Sequence, residues 1–374
     1  MYIKKVVKRM KDSESNDGIM PMLREDASGS FSAVLNEIDE QMLSASDPGL
    51  TLEQRVELFE DIIVSEVGDT LLVRAKNIER EIGLRQVFFK FEGGNPSGTQ
   101  KDRIAFAQVH DALRRDFHTI SLASCGNYGS AVAFAASLAG IKCRVFIPET
   151  YHTKREEEIR RFGAEIIRSG RDYEEAVQKS SEEAYENEYY DANPGGDNIG
   201  LQLKAYSQIA EEIFDELRDA PYAVAIPVSN GTTLAGIHRG FLNLYRRGKT
   251  SRIPRIIAGS TSKKNPIVAS YLKRLPACEN LNPNKLHESI INEPLINWHS
   301  IDGDVALQAV YSTNGWAADA SDKAMKQFAK LIKEKEGIFT LPASAAGLIA
   351  LVKHISEENL PGDRYVVILT GRSV

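Results

Sequence analysis

Three short stretches hold residues whose types and spacing could do chemistry. The first, FEGGNPSGTQKDR at 91–103, sets Lys101 among three glycines, a proline and small hydroxyl residues. A lysine at a helix start feels the positive end of the helix dipole, which disfavours its charge and helps make a neutral, nucleophilic amine. The same residues also make an ordinary polar helix start, with Lys101 in water and Asp102 favourable in the first turn; spacing alone does not separate the two. The second, LASCGNYGSA at 122–131, ends a strand and leads through Ser124, Cys125, Gly126, Asn127 and Tyr128 into a helix. Exposed N–H groups there, with the Ser124 hydroxyl, form a natural carboxylate site, and Asn127 can both donate and accept. An ordinary strand-to-helix turn would use the same residues. Cys125 has no His or Asp at a spacing that suggests a nucleophile's base, and free cysteines are most often small buried residues.

The third stretch, IPVSNGTTLAGIHRGF at 226–241, runs from a strand through Ser229, Asn230, Gly231, Thr232 and Thr233 into a helix beginning near Leu234. Small residues, hydroxyls and a helix N-terminus converging on one point make an anion cradle. No GKS or GKT follows, and the pattern is not GxGxxG, so it points to a cofactor's phosphate rather than a nucleoside triphosphate's.

The elements that must position these residues alternate. QVFFKFE, TISLAS, CRVFIP, AEIIRSG, YAVAIPV, RIIAGS and YVVILTG read as strands from their short β-branched and aromatic runs. Between the early ones, KDRIAFAQVHDALRRD, AVAFAASLAG, TKREEEIRRFG and DYEEAVQKSSEEAYEN read as helices. Such alternation implies parallel strands with crossover helices, and ligands that gather outside the carboxyl ends of the strands. Residues 1–60 are polar and irregular, with an acidic stretch of helical spacing at 51–62, and read as an N-terminal arm or extension.

Composition bounds the function class. The chain has 374 residues, 46 Lys and Arg against 52 Asp and Glu, and a formal net charge of −6. That balance argues against a nucleic-acid or membrane-surface partner. The three cysteines are odd in number and far apart, which excludes a disulfide scaffold and fits a reducing cytoplasm. The basic N-terminus lacks the apolar stretch of a signal peptide, and acidic Asp12 and Glu14 follow its lysines; a cytoplasmic protein is the expectation. No metal site is expected.

The order of the three stretches, with a C-terminal LTG, resembles the fold type II pyridoxal-phosphate enzymes of the tryptophan-synthase-β superfamily, and within them the threonine synthase branch. The similarity covers about residues 65–374 and includes GDTLLVRAKNIEREIGLRQVFFKFEGGNPSGTQKDR, DANPGGDNIGLQLKAYSQIAEEI and EGIFTLPASAAGLIAL. It implies an α/β fold of two open, mainly parallel twisted sheets flanked by helices, with the active site in the interdomain cleft. It further implies a large cofactor-binding domain of 61–103 and 188–374, a small mobile domain of 104–187, and a homodimer. Lys101 would be the Schiff-base lysine, Asn127 would contact the phenolic oxygen of pyridoxal 5'-phosphate, and Ser229 to Thr233 would hold its phosphate. Thr370 would bond the pyridine nitrogen, and Ser124, Cys125, Gly126, Asn127 and Tyr128 would cradle the carboxylate of an amino-acid substrate.

Departures from the family bear on that substrate. Thr99 and Gln100 stand where Ser and Phe are usual, and Pro194 is followed by Gly195, Gly196 and Asp197 instead of a phosphate-gripping base. An acidic residue there would repel a phosphorylated substrate such as O-phosphohomoserine. LHESIINEP replaces an ET-rich segment, and Lys263, Lys264 and Arg239 are alternative cations or, more simply, solvated loop residues. The implied reaction is threonine-synthase-like elimination or replacement. The alternatives are β-replacement or β-elimination on an O-activated serine, as in cysteine, cysteate or diaminopropionate synthesis, a threonine/serine dehydratase, and a non-catalytic binding protein.

Overall fold

The computed structural model describes residues 43–373 apart from 125, 150, 152–154 and 356. The expected arm at residues 1–42, and Cys125, therefore lie outside the described residues. Two sheets organise the chain. β1 (Leu71–Arg74), β2 (Val87–Phe91), β7 (Ala223–Pro227), β8 (Arg255–Thr261), β9 (Trp316–Ala320) and β10 (Tyr365–Leu369) form a six-stranded sheet in the order β1-β2-β10-β7-β8-β9. β3 (Thr119–Ala123), β4 (Lys142–Ile147), β5 (Glu165–Arg168) and β6 (Tyr190–Asp191) form a second in the order β5-β4-β3-β6. Every pairing is parallel except β1 with β2. β7 (AVAIP) and β10 (YVVIL) are buried along their whole length. Apolar runs of this kind suit a parallel sheet covered by helices on both faces. Among the described residues no helix is long and apolar enough to cross a membrane.

One apolar cluster joins the two sheets, and a second packs against the six-stranded sheet alone. Helix Lys101–Arg114 is buried along most of its length, and Phe106 stacks on Phe59 with ring centroids 5.8 Å apart while meeting Phe134 edge-on. Phe59 and Ile62 belong to helix Leu52–Glu66, which opens with a capping box between Thr51 and Gln54. Two of the three expected domain boundaries fall inside elements: residue 60 within helix Leu52–Glu66 and residue 103 within helix Lys101–Arg114. The third, residue 187, follows helix Tyr173–Glu186 and precedes β6, which pairs with β3 in the smaller sheet. Helices run straight across the first two.

Beneath β2 lies a buried ionic network. Arg103 donates to both oxygens of Glu92, at 2.6 and 2.9 Å, and to both oxygens of Glu212, at 2.6 and 2.9 Å. Lys90 pairs with Glu212 at 2.5 Å and donates to the carbonyl of Thr70 at 2.6 Å, while the Thr70 hydroxyl donates to Glu92 at 2.7 Å. The side chains of Arg103 and Glu92 are fully buried. Burial pushes the Glu212 carboxyl up, but hydrogen bonds and charge from Arg103 and Lys90 bring it down to about 2.

Two tests follow from this network. Arg103→Ala strands two carboxylates, one of them wholly buried, and is expected to cost about 3–5 kcal/mol in urea unfolding; a loss under about 0.5 kcal/mol, the usual range for surface changes, would show the network to be incidental. Because the folded-state pKa of Glu212 lies below the unfolded one, its stabilisation is complete above the unfolded value of 4.5 and fades as pH falls toward about 2. Glu212→Gln should flatten that acid limb in pH-dependent melting.

Candidate active site

Lys101 is placed by the pinning of two chain segments. The loop before it and the tail of β10 run side by side: Gln100 N–H donates to the Thr370 carbonyl at 3.0 Å, Arg372 N–H donates to the Gly98 carbonyl at 2.9 Å, and Thr99 bridges Gly371. Gly98 has φ +88, and a Cβ there would stand 2.7 Å from the Arg372 guanidinium. That guanidinium donates to the carbonyls of Gly93 and Pro96, both at 3.2 Å, closing the turn. Asp102 is wholly buried and turns back to accept from Ser97 N–H at 2.9 Å; burial, against the bonds from Ser97, leaves its carboxyl pushed up to about 7.

Lys101 begins its helix, as the spacing suggests. Burial lowers the ammonium pKa to about 8, with the negative charge of Asp302 opposing. The Nζ lies 5.6 Å from the centre of the Tyr128 ring. Tyr128 is held by its hydroxyl, which donates to the Ala192 carbonyl at 2.6 Å and accepts from Gln108. The hydroxyl is thus committed within the protein, and Tyr128 presents its ring to the lysine.

The other expected residues surround the same cavity of about 490 Å³. Ser124, Gly126, Asn127 and Tyr128 line one side, Ser229 to Thr233 another, and Thr370 a third. The cavity lies at the carboxyl ends of β3, β4, β7 and β10, where open parallel sheets place ligands. Ser124 Oγ accepts from Gly129 N–H at 2.9 Å. Helix Asn127–Ala139 starts four residues earlier than the apolar pattern suggests, so Asn127 stands in its first turn. Among the described residues its side-chain amide has no protein partner. Helix Thr232–Arg246 likewise starts two residues earlier than expected, on Gly231.

Gly231 is the pivot of the anion loop. Its φ is +98, and a Cβ there would lie 2.8 Å from the Asp302 carbonyl and 2.9 Å from Ala306. The turn leaves the first N–H groups of helix Thr232–Arg246 without intrahelical acceptors, beside the cavity. Two asparagines and a serine brace the loop from behind. Asn265 donates to the Ser229 carbonyl at 2.9 Å, Asn297 donates to the Asn230 side chain at 2.8 Å, and Ser300 donates to the Ser229 carbonyl at 3.2 Å.

Sequence reading missed five contributors. Ser344 shares a hydrogen bond with the Thr370 hydroxyl at 2.9 Å. Asp302 accepts from the Thr232 hydroxyl. Glu288 and Glu293, in the segment that replaces an ET-rich stretch, line the cavity together with Glu174. Burial pushes each of these three carboxyls up; for Glu293 the charge of Glu288 adds to it, against Tyr151 and Arg155. Only the oddity of LHESIINEP was visible beforehand. Conversely, Asp197 is exposed and does not line the cavity, so its expected repulsion of a phosphorylated substrate loses its basis. Lys263, Lys264 and Arg239 are also absent from the walls, and Lys264 donates to the His287 carbonyl at 2.7 Å. The basic residues among the described lining are Lys101 and Arg171, the latter 92% exposed and paired with Glu175.

Comparison with known proteins agrees with this geometry. A family model described as pyridoxal-phosphate dependent enzyme matches residues 63–371. The chain is 30% identical over 308 residues to a threonine synthase of Methanocaldococcus jannaschii, covering 81% of this chain and 74% of that protein. It is 28% identical over 311 residues to a threonine synthase of Bacillus sp. (strain ULM1), covering 82% and 83%. Among solved structures, a pyridoxal 5'-phosphate-dependent aspartate racemase superposes with a TM-score of 0.70 at 20% identity, over 85% of this chain and 94% of that one; at that identity the likeness speaks for the fold.

Three features fit pyridoxal phosphate: a desolvated amine, an anion loop that excludes a Cβ, and a hydroxyl pair at Thr370 and Ser344 on the same cavity. The loop is the sharpest to test. Gly231→Ala is expected to reduce bound cofactor, measured after alkaline release, at least about tenfold, because the strained backbone and displaced Asp302 spoil the N–H array. Gly200→Ala, where a Cβ meets open space, should retain it. Equal cofactor content in both variants would refute the loop's role.

Proposed function

Because the chain belongs to the pyridoxal-phosphate-dependent enzyme family, a cofactor-dependent lyase or synthase fold, we propose that it eliminates or replaces an uncharged leaving group on the side chain of an amino acid. The single observation behind this reading is the shared cavity: a desolvated Lys101 faces the anion loop and Thr370, while carboxylates of Glu174, Glu288 and Glu293 form the remaining wall.

Under this reading Lys101 holds the cofactor through its amine, Ser229 to Thr233 hold the phosphate, Asn127 meets the phenolic oxygen, and Thr370 meets the ring nitrogen. Bound there, pyridoxal phosphate supplies an electron sink for the pair left when a bond to the substrate Cα breaks. The N–H groups of Gly126 and Asn127, with the Ser124 hydroxyl, orient the substrate carboxylate. Cys125 belongs to that cradle by sequence. Lys101, once its amine is free, takes the Cα proton; a group with a pKa near 8 is matched to proton transfer near neutral pH. Thr370 and Ser344 present a hydroxyl, not a carboxylate, to the ring nitrogen, which leaves that nitrogen unprotonated and suits elimination and replacement. The four-stranded unit forms the mobile wall that closes over the substrate and excludes water.

The wall chemistry separates leaving groups. A phosphorylated side chain would bring a dianion against Glu288 and Glu293, with no free guanidinium or ammonium on the described walls to offset it. A hydroxyl or acetyl ester meets no such repulsion. The curated relatives are threonine synthases, which supports chemistry at Cβ or Cγ without fixing the leaving group.

The purified protein should be yellow, with a band near about 410–420 nm that Lys101→Ala abolishes. Threonine, serine and O-acetylserine are then offered beside O-phosphohomoserine and O-phosphoserine, and the band is followed. The unphosphorylated amino acids are expected to shift it. Release of inorganic phosphate and threonine from O-phosphohomoserine, faster than any other turnover, would overturn the assignment of an uncharged leaving group. A colourless wild type would sink the whole reading.

A further inference from the structure

Asp302 stands against the anion loop in a way that the mechanism above leaves unused. It is 8% exposed, and its carboxylate accepts from the Thr232 hydroxyl in the first turn of helix Thr232–Arg246. Its N–H donates to the Asn230 carbonyl at 3.0 Å, and its own carbonyl closes on Gly231. Asp302 is also the N-cap residue of helix Gly303–Ser312, yet its side chain caps none of that helix's N–H groups. The carboxylate is turned to the loop instead. It therefore sits where two helix N-termini approach each other, a position that favours negative charge.

A phosphate seated on that loop would find an anion already beside it. Two like charges in a desolvated site cannot both stay ionised without a large penalty. Resting on the cofactor reading above, we propose that Asp302 takes up a proton as the cofactor phosphate binds. The proton comes from solvent, the carboxylate becomes a carboxylic acid, and its O–H can then donate to the Thr232 hydroxyl oxygen. The Thr232 hydroxyl, which lines the cavity, turns its own proton to the phosphate. Repulsion is thereby exchanged for two donor–acceptor contacts, and the affinity of the loop becomes coupled to pH.

The surroundings of Asp302 support this assignment. Helix Lys101–Arg114 contributes Lys101, the charged group that faces it. Helix Thr232–Arg246 offers the Thr232 hydroxyl and N–H groups. On its own helix, Asp304 is engaged elsewhere, accepting from Cys278 N–H at 2.7 Å. Burial pushes the Asp302 carboxyl up from the usual carboxylate range, and Thr232 and Lys101 only partly restrain it.

The test uses cofactor-free full-length protein and pyridoxine 5'-phosphate, which carries the phosphate but no aldehyde to react with Lys101. Titration calorimetry at pH 7.5 in buffers of different ionisation enthalpy counts the protons taken up on binding. The wild type is expected to take up about half to one proton more than Asp302→Asn. Its affinity should weaken several-fold between pH 6.5 and 8.5, a slope that the variant largely loses. Asp302→Ser provides a second uncharged variant should the amide not fold. Equal proton uptake in the wild type and a folded variant overturns the role of Asp302 while leaving the cofactor site intact. Failure of the analogue to bind natively folded wild type, judged by circular dichroism, overturns the cofactor site itself and this inference with it.

Discussion

The site depends on a charge that has no contact with it. Arg103 lies two residues after Lys101, and its guanidinium is locked between Glu92 at the end of β2 and Glu212 on helix Ile199–Leu217. Desolvating this arginine is costly, and the two carboxylates recover that cost only in the observed fork geometry. Burial works against its charge, while Glu92 and Glu212 hold the pKa far above any accessible pH. A permanently charged, geometrically demanding group therefore fixes the first turn of helix Lys101–Arg114. Lys101 inherits that position without forming an ion pair of its own, which would keep it protonated and useless as a nucleophile or base. The arrangement divides the work along three consecutive residues: Lys101 lines the cavity, Asp102 ties the preceding turn, and Arg103 anchors.

The rest of the cavity follows the same division. The reactive surfaces are short stretches at strand ends, and each is held from behind by groups that do not reach the cavity's chemistry. Asn265, Asn297 and Ser300 brace the anion loop, Gln108 fixes Tyr128, and Ser344 fixes Thr370. Each bracing group is polar and at least partly buried, so its hydrogen bond is expensive to lose and the geometry is correspondingly specific. Such bracing crosses long distances in sequence: Ser344 reaches Thr370 and Asn297 reaches back to Asn230.

That long reach explains what the sequence did and did not disclose. The reactive stretches were legible because their chemistry is local: a lysine at a helix start, a turn of small residues after a strand, a hydroxyl after the last strand. The alternation of β-branched runs with helical spacing likewise revealed an α/β fold, since burial on both faces leaves a local signature. Asp302 left none. IDGDV resembles any polar loop until the fold brings it against Thr232, some seventy residues upstream. The short edge elements β1 and β6 also went unread, because four and two residues are too few to show a period. The acidic character of the substrate side was inferred from Asp197, which is exposed, although the carboxylates that line the cavity belong to Glu174, Glu288 and Glu293. Asp197 and these glutamates belong to separate segments of the chain, so nearness in sequence to the NP dipeptide did not tell which acidic residues reach the cavity.

One cavity thus treats anions in opposite ways at its two ends. At the loop, negative charge is received by oriented N–H groups and helix termini, which bring partial positive charge without a lysine or arginine whose own counter-ion would have to be displaced. Elsewhere on the lining stand the carboxyl groups of Glu174, Glu288 and Glu293. A chain with net charge −6 can bind an anionic cofactor because local dipoles at contact distance outweigh a diffuse, screened surplus spread over the surface. The same reasoning runs in reverse for the substrate. The wall that carries Glu174, Glu288 and Glu293 has, among the described residues, no second glycine-pivoted helix start of the kind that Gly231 provides. The two ends of the cavity therefore differ in what they present: oriented backbone N–H groups at one, side-chain carboxyls at the other.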